Sequence, residues 1–198
     1  MITDPAAAAV RATKDVDAIV AVTSRADYRG LGKQLMSRDF TQSLKDGDPP
    51  YRWTYEGMKL DVMPTDETIL GFSNRWYVPA LQTAITIELR GRLSIRLVAP
   101  AHFVATKLAA FLDRGKGDYL GSHDLEDVLS VVDGRPELVD EIADAEPELK
   151  TFVAEIIHNL IEDEHFVDRL PALILDGSPA ERTSIVLERL KKLVRAAG

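Results

Sequence analysis

An α+β fold, with strands gathered in the first half of the chain and helices in the second, follows from three observations on its 198 residues. Residues 15–22 alternate with period two, placing Val16, Ala18, Val20 and Val22 on one face and Asp15, Asp17, Ile19 and Ala21 on the other, as a half-buried strand does. Residues 51–63 and 84–98 read as strand–turn–strand, around Glu56-Gly57 and Arg90-Gly91-Arg92. From Pro100 onward the apolar spacing changes to that of helices, and it stays there.

The elements follow in order. Residues 1–14 are Ala-rich and show no period. The first strand brings Asp15 and Asp17 side by side, roughly 7 Å apart along one face. Like charges that close raise each other's cost of ionisation unless a cation stands between them. A hard ion such as magnesium suits the pair, and a solvated strand end is the plainer alternative. Residues 25–40 predict a helix capped by Ser24, with Tyr28, Leu31, Leu35 and Met36 on its apolar side. Residues 45–50 form a loop by their turn chemistry.

In the first hairpin, Leu60 and Val62 take one face of the returning strand, and Lys59, Asp61 and Met63 the other. If that strand neighbours the first, Asp61 joins Asp15 and Asp17 as a third carboxylate. Residues 66–83 look irregular, and Trp76 and Tyr77 either stack on a base beside Arg75 or anchor the loop to the core.

The helix that opens at Pro100 carries Phe103, Val104, Leu108 and Phe111 as a stripe with Lys107 set into it. That ammonium must snorkel outward, pair with a carboxylate or meet an anionic ligand. A basic Gly-rich loop over 114–121 leads to Ser122, a helix cap, and to Asp124 and Asp127, three apart on one helix face. Helices are expected over 136–143, 147–164, 166–175 and 179–197. Leu149, Phe152, Val153, Ile156, Ile157 and Leu160 form a core stripe, and His158 and His165 face solvent.

Composition narrows the class. Hydrophobic residues make up 45% and charged ones 28%, and there is no cysteine, so disulfides and thiolate metal sites are excluded and a cytoplasmic location is expected. The N-terminus lacks the basic and apolar regions of a signal peptide, and no apolar run reaches membrane-span length, so no membrane partner is expected. Net charge is −8, unevenly spread: residues 1–117 carry 16 basic and 13 acidic side chains, residues 118–198 carry 8 and 19. The first part suits a polyanion and the second reads as an acidic helical lobe.

Taken together, Thr-Lys-Asp15-Val-Asp17, Leu-Asp61-Val, Ala-Thr-Lys107-Leu-Ala-Ala-Phe and His-Asp124-Leu-Glu-Asp127-Val form a series that resembles the AbiEii-type nucleotidyltransferases. These are toxins of type IV toxin–antitoxin systems within the polymerase-β-like superfamily, and the resemblance runs from about residue 11 to about residue 133. It implies a mixed sheet with flanking helices over 1–99, followed by a helical lobe over 100–198 that contributes Lys107 and Asp124 to the site. It implies that Asp15 and Asp17 hold a catalytic Mg2+ and that Asp61 is a further ligand or the base. Thr13, Lys14, Lys107 and Arg114 are then the expected nucleotide-binding residues. Asp124 matches the first acid of an Arg-Asp-x-x-Asp-like motif, with His123 where the family often has Arg.

The activity so implied transfers a nucleoside monophosphate from a nucleoside triphosphate to an RNA hydroxyl, with tRNA ends as one acceptor class and a cognate antitoxin as partner. The superfamily places a Gly-Gly or Gly-Ser turn ahead of the Asp pair to cradle the triphosphate. Residues 1–14 contain no glycine. Either such a turn lies upstream of Met1, or part of the phosphate site is lost and activity with it. Two other readings stand beside the transferase: a non-catalytic nucleotide- or protein-binding module, and a metal-dependent phosphohydrolase.

Overall fold

The computed structural model describes residues 1–7, 13–42, 47–115, 117–174 and 180–196. Sequence readings at Arg11, Lys45, Lys116, Leu175, Pro179 and Ala197 fall outside them. The fold is α+β, with a mixed sheet, flanking helices and a helical C-terminal region. Two compact units divide the chain: a sheet unit, Ala12–Thr83, and a helical unit made of Met1–Arg11 and Ala84–Gly198. The division falls between residues 83 and 84 rather than after 99. The second hairpin, a two-stranded sheet of its own among the described residues, falls in the helical unit.

The sheet unit runs β1 (Asp15–Val20), α1 (Arg25–Met36), β2 (Thr41–Gln42), β3 (Arg52–Tyr55), β4 (Met58–Pro64), α2 (Glu67–Leu70) and α3 (Tyr77–Gln82). Its strand order is β1-β4-β3-β2, with β1 parallel to β4 and the other pairs antiparallel. Ser24 caps α1: its hydroxyl accepts the Asp27 N–H at 3.1 Å and donates to the Asp27 carboxylate at 2.6 Å. The helix stops at Met36, short of the expected residue 40. Asp39 is left-handed (φ 64) and turns the chain so that Thr41 and Gln42 can pair with β3.

The β3–β4 turn is a two-residue one, with φ of 48 and 81 at Glu56 and Gly57, matching the right-handed twist of the strands it joins. Its pairing runs from Tyr55 opposite Met58 to Arg52 opposite Asp61. Residues 66–83, expected to be irregular, hold α2 and α3. Asp66 caps α2 by accepting the Thr68 N–H at 2.8 Å, and left-handed Gly71 ends it. Trp76 is buried and precedes α3 as an anchor. The sheet face opposite Asp17 and Asp61 carries Trp53, Leu60 and Val62, and Trp53 lies against Gly32 of α1.

The helical unit comprises the hairpin β5 (Ile85–Leu89) and β6 (Leu93–Leu97), then α4 (Pro100–Ala110) continuing into a π-helical turn, Phe111–Gly115. After it come α5 (His123–Gly134), α6 (Leu138–Ala143), α7 (Pro147–Glu162), α8 (Glu164–Leu173) and α9 (Ala180–Arg195). The core is aliphatic: Val104 and Leu108 of α4, Leu125 and Val128 of α5, Val153 and Ile157 of α7, and Val186, Leu190 and Leu193 of α9 are all fully buried. His158 and His165 are exposed, as expected.

The first residues, without period in the sequence, are tied down by polar contacts. The Thr3 and Asp4 N–H groups donate to the Gly134 carbonyl at 2.8 and 2.9 Å. The Asp4 carboxylate accepts from Arg182 at 2.9 Å, and Arg182 also pairs with buried Asp133.

The contrast between two glycines of α1 is measurable. A Cβ on Gly30 meets nothing within 4 Å, whereas one on Gly32 lies 3.2 Å from the Trp53 ring. Gly30→Ala is therefore expected to stabilise the unit by about 0.5–1 kcal/mol through helix propensity. Gly32→Val is expected to cost about 1–3 kcal/mol by overpacking, both read from urea midpoints. Acid provides a second check. The Tyr119 hydroxyl donates to Asp163 at 2.5 Å, and with the His165 N–H it holds the Asp163 carboxyl below the usual range. A lowered folded pKa contributes stability that is present above the unfolded value and lost as pH falls through the folded one. Asp163→Asn should flatten the fall of the urea midpoint between about pH 5 and about pH 3.

Candidate functional site

The sheet unit places three carboxylates on one surface. Because β1 and β4 are parallel with Asp17 opposite Asp61 and Asp15 opposite Lys59, the pleat points Asp15, Asp17, Lys59 and Asp61 to the same side. Asp15 and Asp17 are exposed, while Asp61 is only 6% exposed. The same face becomes apolar two residues on, where Ile19 pairs with Met63. The polar groups thus gather at the N-terminal end of the parallel pair.

Two cations share that end. Arg52, opposite Asp61 across the β3–β4 ladder, grips it with a fork: Nε donates to Oδ1 at 2.8 Å and Nη2 to Oδ2 at 2.7 Å. These hydrogen bonds, with the charges of Asp61 and Asp15, raise the Arg52 pKa against the opposing effect of burial. Lys59 stands 3.5 Å from the Asp15 carboxylate. Tyr28 of α1 donates its hydroxyl to the Val62 carbonyl at 2.8 Å, and burial plus the nearby Asp61 charge pushes its pKa up to about 12. Thr13 supports the strand entrance, its hydroxyl accepting the Asp15 N–H at 3.0 Å. The Lys14 carbonyl accepts the Lys59 N–H at 2.8 Å, so this residue's backbone belongs to the ladder.

The donor set suits a hard cation in type, but its arrangement does not make a cage. Among the described residues no three acidic, His or Cys side chains stand together in a way that could hold a metal ion. Both Asp61 oxygens already accept from a guanidinium, and a dication placed on them would sit beside a like charge. As they stand, the three aspartates share a face without converging on one ion.

In the helical unit, Lys107 of α4 pairs with carboxylates of α5: its Nζ lies 2.6 Å from Asp127 and 3.5 Å from Asp124. Its ammonium also sits 5.6 Å from the centre of the Phe103 ring. Arg114, in the π-helical turn, forks onto Asp124 with contacts of 2.9 and 3.1 Å. Asp124 is buried, and the capping of α5 falls to Ser122, whose hydroxyl accepts the Leu125 N–H at 3.3 Å. Lys107, Arg114 and Asp124 are therefore brought together, with Asp127 as a fourth member. His123 is apart from them, against Glu126 at 3.1 Å.

Arg52 is the residue at this end that the sequence analysis does not name, and Lys59, which it sets on the face of Asp61, gains Asp15 as partner through the β1–β4 pairing. Counting outward from the two-residue turn at 56–57 pairs 55 with 58 and therefore 52 with 61, so the signal was available.

Fold and site define an α+β protein whose mixed sheet presents an acidic face matched by its own cations. No family model matches the sequence, and no curated protein matches it significantly.

The charge network of α4 and α5 predicts an ordering of effects. Lys107 is 17% exposed and spans two carboxylates, so Lys107→Ala should cost about 1.5–3 kcal/mol by taking from Asp127 its 2.6 Å partner and leaving buried Asp124 to Arg114. The Arg114 side chain is 59% exposed, and Arg114→Ala should cost about 1 kcal/mol or less. Urea denaturation of the two variants checks the order, and equal losses would contradict it.

Proposed function

We propose that this chain is a nucleotidyltransferase, moving a nucleoside monophosphate from a nucleoside triphosphate to an RNA hydroxyl in the manner of the AbiEii-type toxins its motifs resemble. The observation that carries this reading is the register of β1 against β4, which sets Asp15, Asp17 and Asp61 on one face of the sheet. Magnesium dependence, a tRNA acceptor and a cognate antitoxin belong to the same proposal and rest on the resemblance.

In this reaction the acceptor oxygen forms a bond to the α-phosphorus as the bond to the bridging oxygen breaks, and pyrophosphate leaves. In this reading the hydroxyl proton passes to a carboxylate, and the exposure of Asp15 and Asp17 supports them as its acceptors. Asp61, with each oxygen engaged by Arg52, is a poorer acceptor as it stands.

A second reading, a non-catalytic nucleotide-binding module on the same scaffold, draws on that same Arg52–Asp61 fork. A protein that neutralises its third acid internally has less use for a cation there. A phosphohydrolase on the same carboxylates is the remaining alternative.

Incubation with each α-labelled nucleoside triphosphate, Mg2+ and total RNA separates these readings. Transfer of label to RNA is expected, and Asp17→Asn should reduce it by about 100-fold or more with the circular dichroism spectrum unchanged. Retained activity in that variant would remove the acidic face from the chemistry. Binding without turnover would leave the module reading, and hydrolysis without transfer the phosphohydrolase one.

A further inference from the structure

We propose that the apolar face of the β5–β6 hairpin is the contact surface of a reversible two-fold dimer of this chain. The inference is independent of the acidic face and of the activity proposed for it.

The ladder builds the face. Ile85 pairs with Leu97, Ile87 with Ile95 and Leu89 with Leu93, so the pleat turns all six aliphatic side chains to one side. Thr86, Glu88, Ser94 and Arg96 take the other side. Every residue of the two strands is exposed except Leu97, which is half-buried. Among the described residues no third strand joins the pair. A two-stranded ribbon standing alone in water is marginal, and an apolar layer against its face is what stabilises one.

Area sets the kind of association. Ile85, Ile87, Leu89, Leu93 and Ile95 range from 36% exposed at Ile87 to 59% at Leu93. Together they leave on the order of 400 Å² of aliphatic surface open per copy, a size at which a patch is commonly functional. Two copies face to face cover about 800 Å² with these side chains alone, and the rim brings the total near the roughly 1,000 Å² of a small specific interface. That is too little for an obligate dimer. It suits a reversible one in the micromolar range.

The face fits its own copy. Its three cross-strand rows are all Leu and Ile, equal in bulk, and two such faces stack as the layers of a β-sandwich do. No charge lies on it for a peptide or a headgroup to read. Residues 84–98 contain no Trp or Tyr to settle at a bilayer interface, and a chain of net charge −8 is repelled by an anionic one.

Charge also selects the arrangement. The turn carries Arg90 and Arg92, while residues 118–198, in the helices beyond the hairpin's base, carry 19 acidic and 8 basic side chains. A two-fold axis crossing the strands at the Ile87–Ile95 row stacks Ile85 on Leu89 of the second copy and Leu97 on its Leu93. The arginine tips then lie at opposite ends, apart from each other and each toward the end from which the other copy's acidic helices lead off.

Sedimentation equilibrium of the full chain across a micromolar concentration series tests this. A monomer–dimer equilibrium is expected. Ile87→Asp, which sets two carboxylates against each other at the axis, should raise its dissociation constant about 100-fold or more. Thr86→Asp, on the polar face, should leave the constant within about twofold. Equal loss in both variants would trace to unravelling of the hairpin and overturn the proposal, as would an unchanged constant in Ile87→Asp. Leu93→Asp serves if Ile87→Asp fails to fold by circular dichroism, with the same loss expected and the same outcome overturning. Pyrene on Arg90→Cys, the sole cysteine such a chain holds, should give no excimer emission where the protein is dimeric, and excimer there overturns the arrangement with tips apart. A monomer at every concentration overturns the proposal, and flotation with phosphatidylserine vesicles that Ile87→Asp abolishes would give the face to a bilayer instead. Species larger than a dimer overturn the closed two-fold.

Discussion

The parallel pairing of β1 with β4 in a single register governs the sheet unit. With Asp17 opposite Asp61, the two strands present their acids to one side and Ala18 and Val62 to the other. A slip of one residue would send Asp61 to the face of Trp53, where a charge has no partner and α1 loses an apolar contact. The hydrophobic face therefore enforces the acidic one. Tyr28 adds a polar check on the same arrangement, because its hydroxyl reaches the Val62 carbonyl from α1.

That register also brings the cations. The tight turn at 56–57 leaves no freedom in the β3–β4 ladder, so the strand that delivers Asp61 has Arg52 beside it. Three negative charges on one surface would repel one another; Arg52 on Asp61 and Lys59 near Asp15 relieve this within the chain. The acidic face is consequently closer to neutral than its carboxylates alone imply. Any anionic ligand meets cations there as well as acids.

Periodic features of the chain were legible in the sequence. The strand opening at 15, which ends at Val20 rather than at 22 and shows no alternation in burial, the turn at Glu56-Gly57, the caps at Ser24 and Ser122 and the core stripe of α7 all depend on neighbours within a few residues, and each element appears in the structure. Long-range pairings were legible only conditionally: Asp61 could be placed beside Asp15 and Asp17 only if the strands adjoined. Three things were not read. The short helices over 66–83 lack an amphipathic stripe long enough to detect. The π-helical turn at Phe111–Gly115 looks like ordinary helix in its spacing. The docking of Thr3 and Asp4 on Gly134 depends on backbone groups more than a hundred residues away. Arg52 is a different case: its place opposite Asp61 follows from the two-residue turn at 56–57 alone.

Arg pairing of a buried aspartate does not by itself mark a functional site in this molecule, because among the described residues it occurs three times. Asp61 is held by Arg52, Asp124 by Arg114 and Asp133 by Arg182. The Asp133 pair lies among α5, α9 and the first residues of the chain, and Arg182 is 11% exposed, so that pair serves packing. At Asp124 a second cation, Lys107, reaches over from α4 and also pairs with Asp127. Exposure of the arginine does not separate them, since Arg114 is 59% exposed and Arg52 26%. Burial of the aspartate fixes the geometry of all three pairs; what distinguishes Asp61 among them is the sheet register, which sets two further carboxylates, both open to solvent, on its own face.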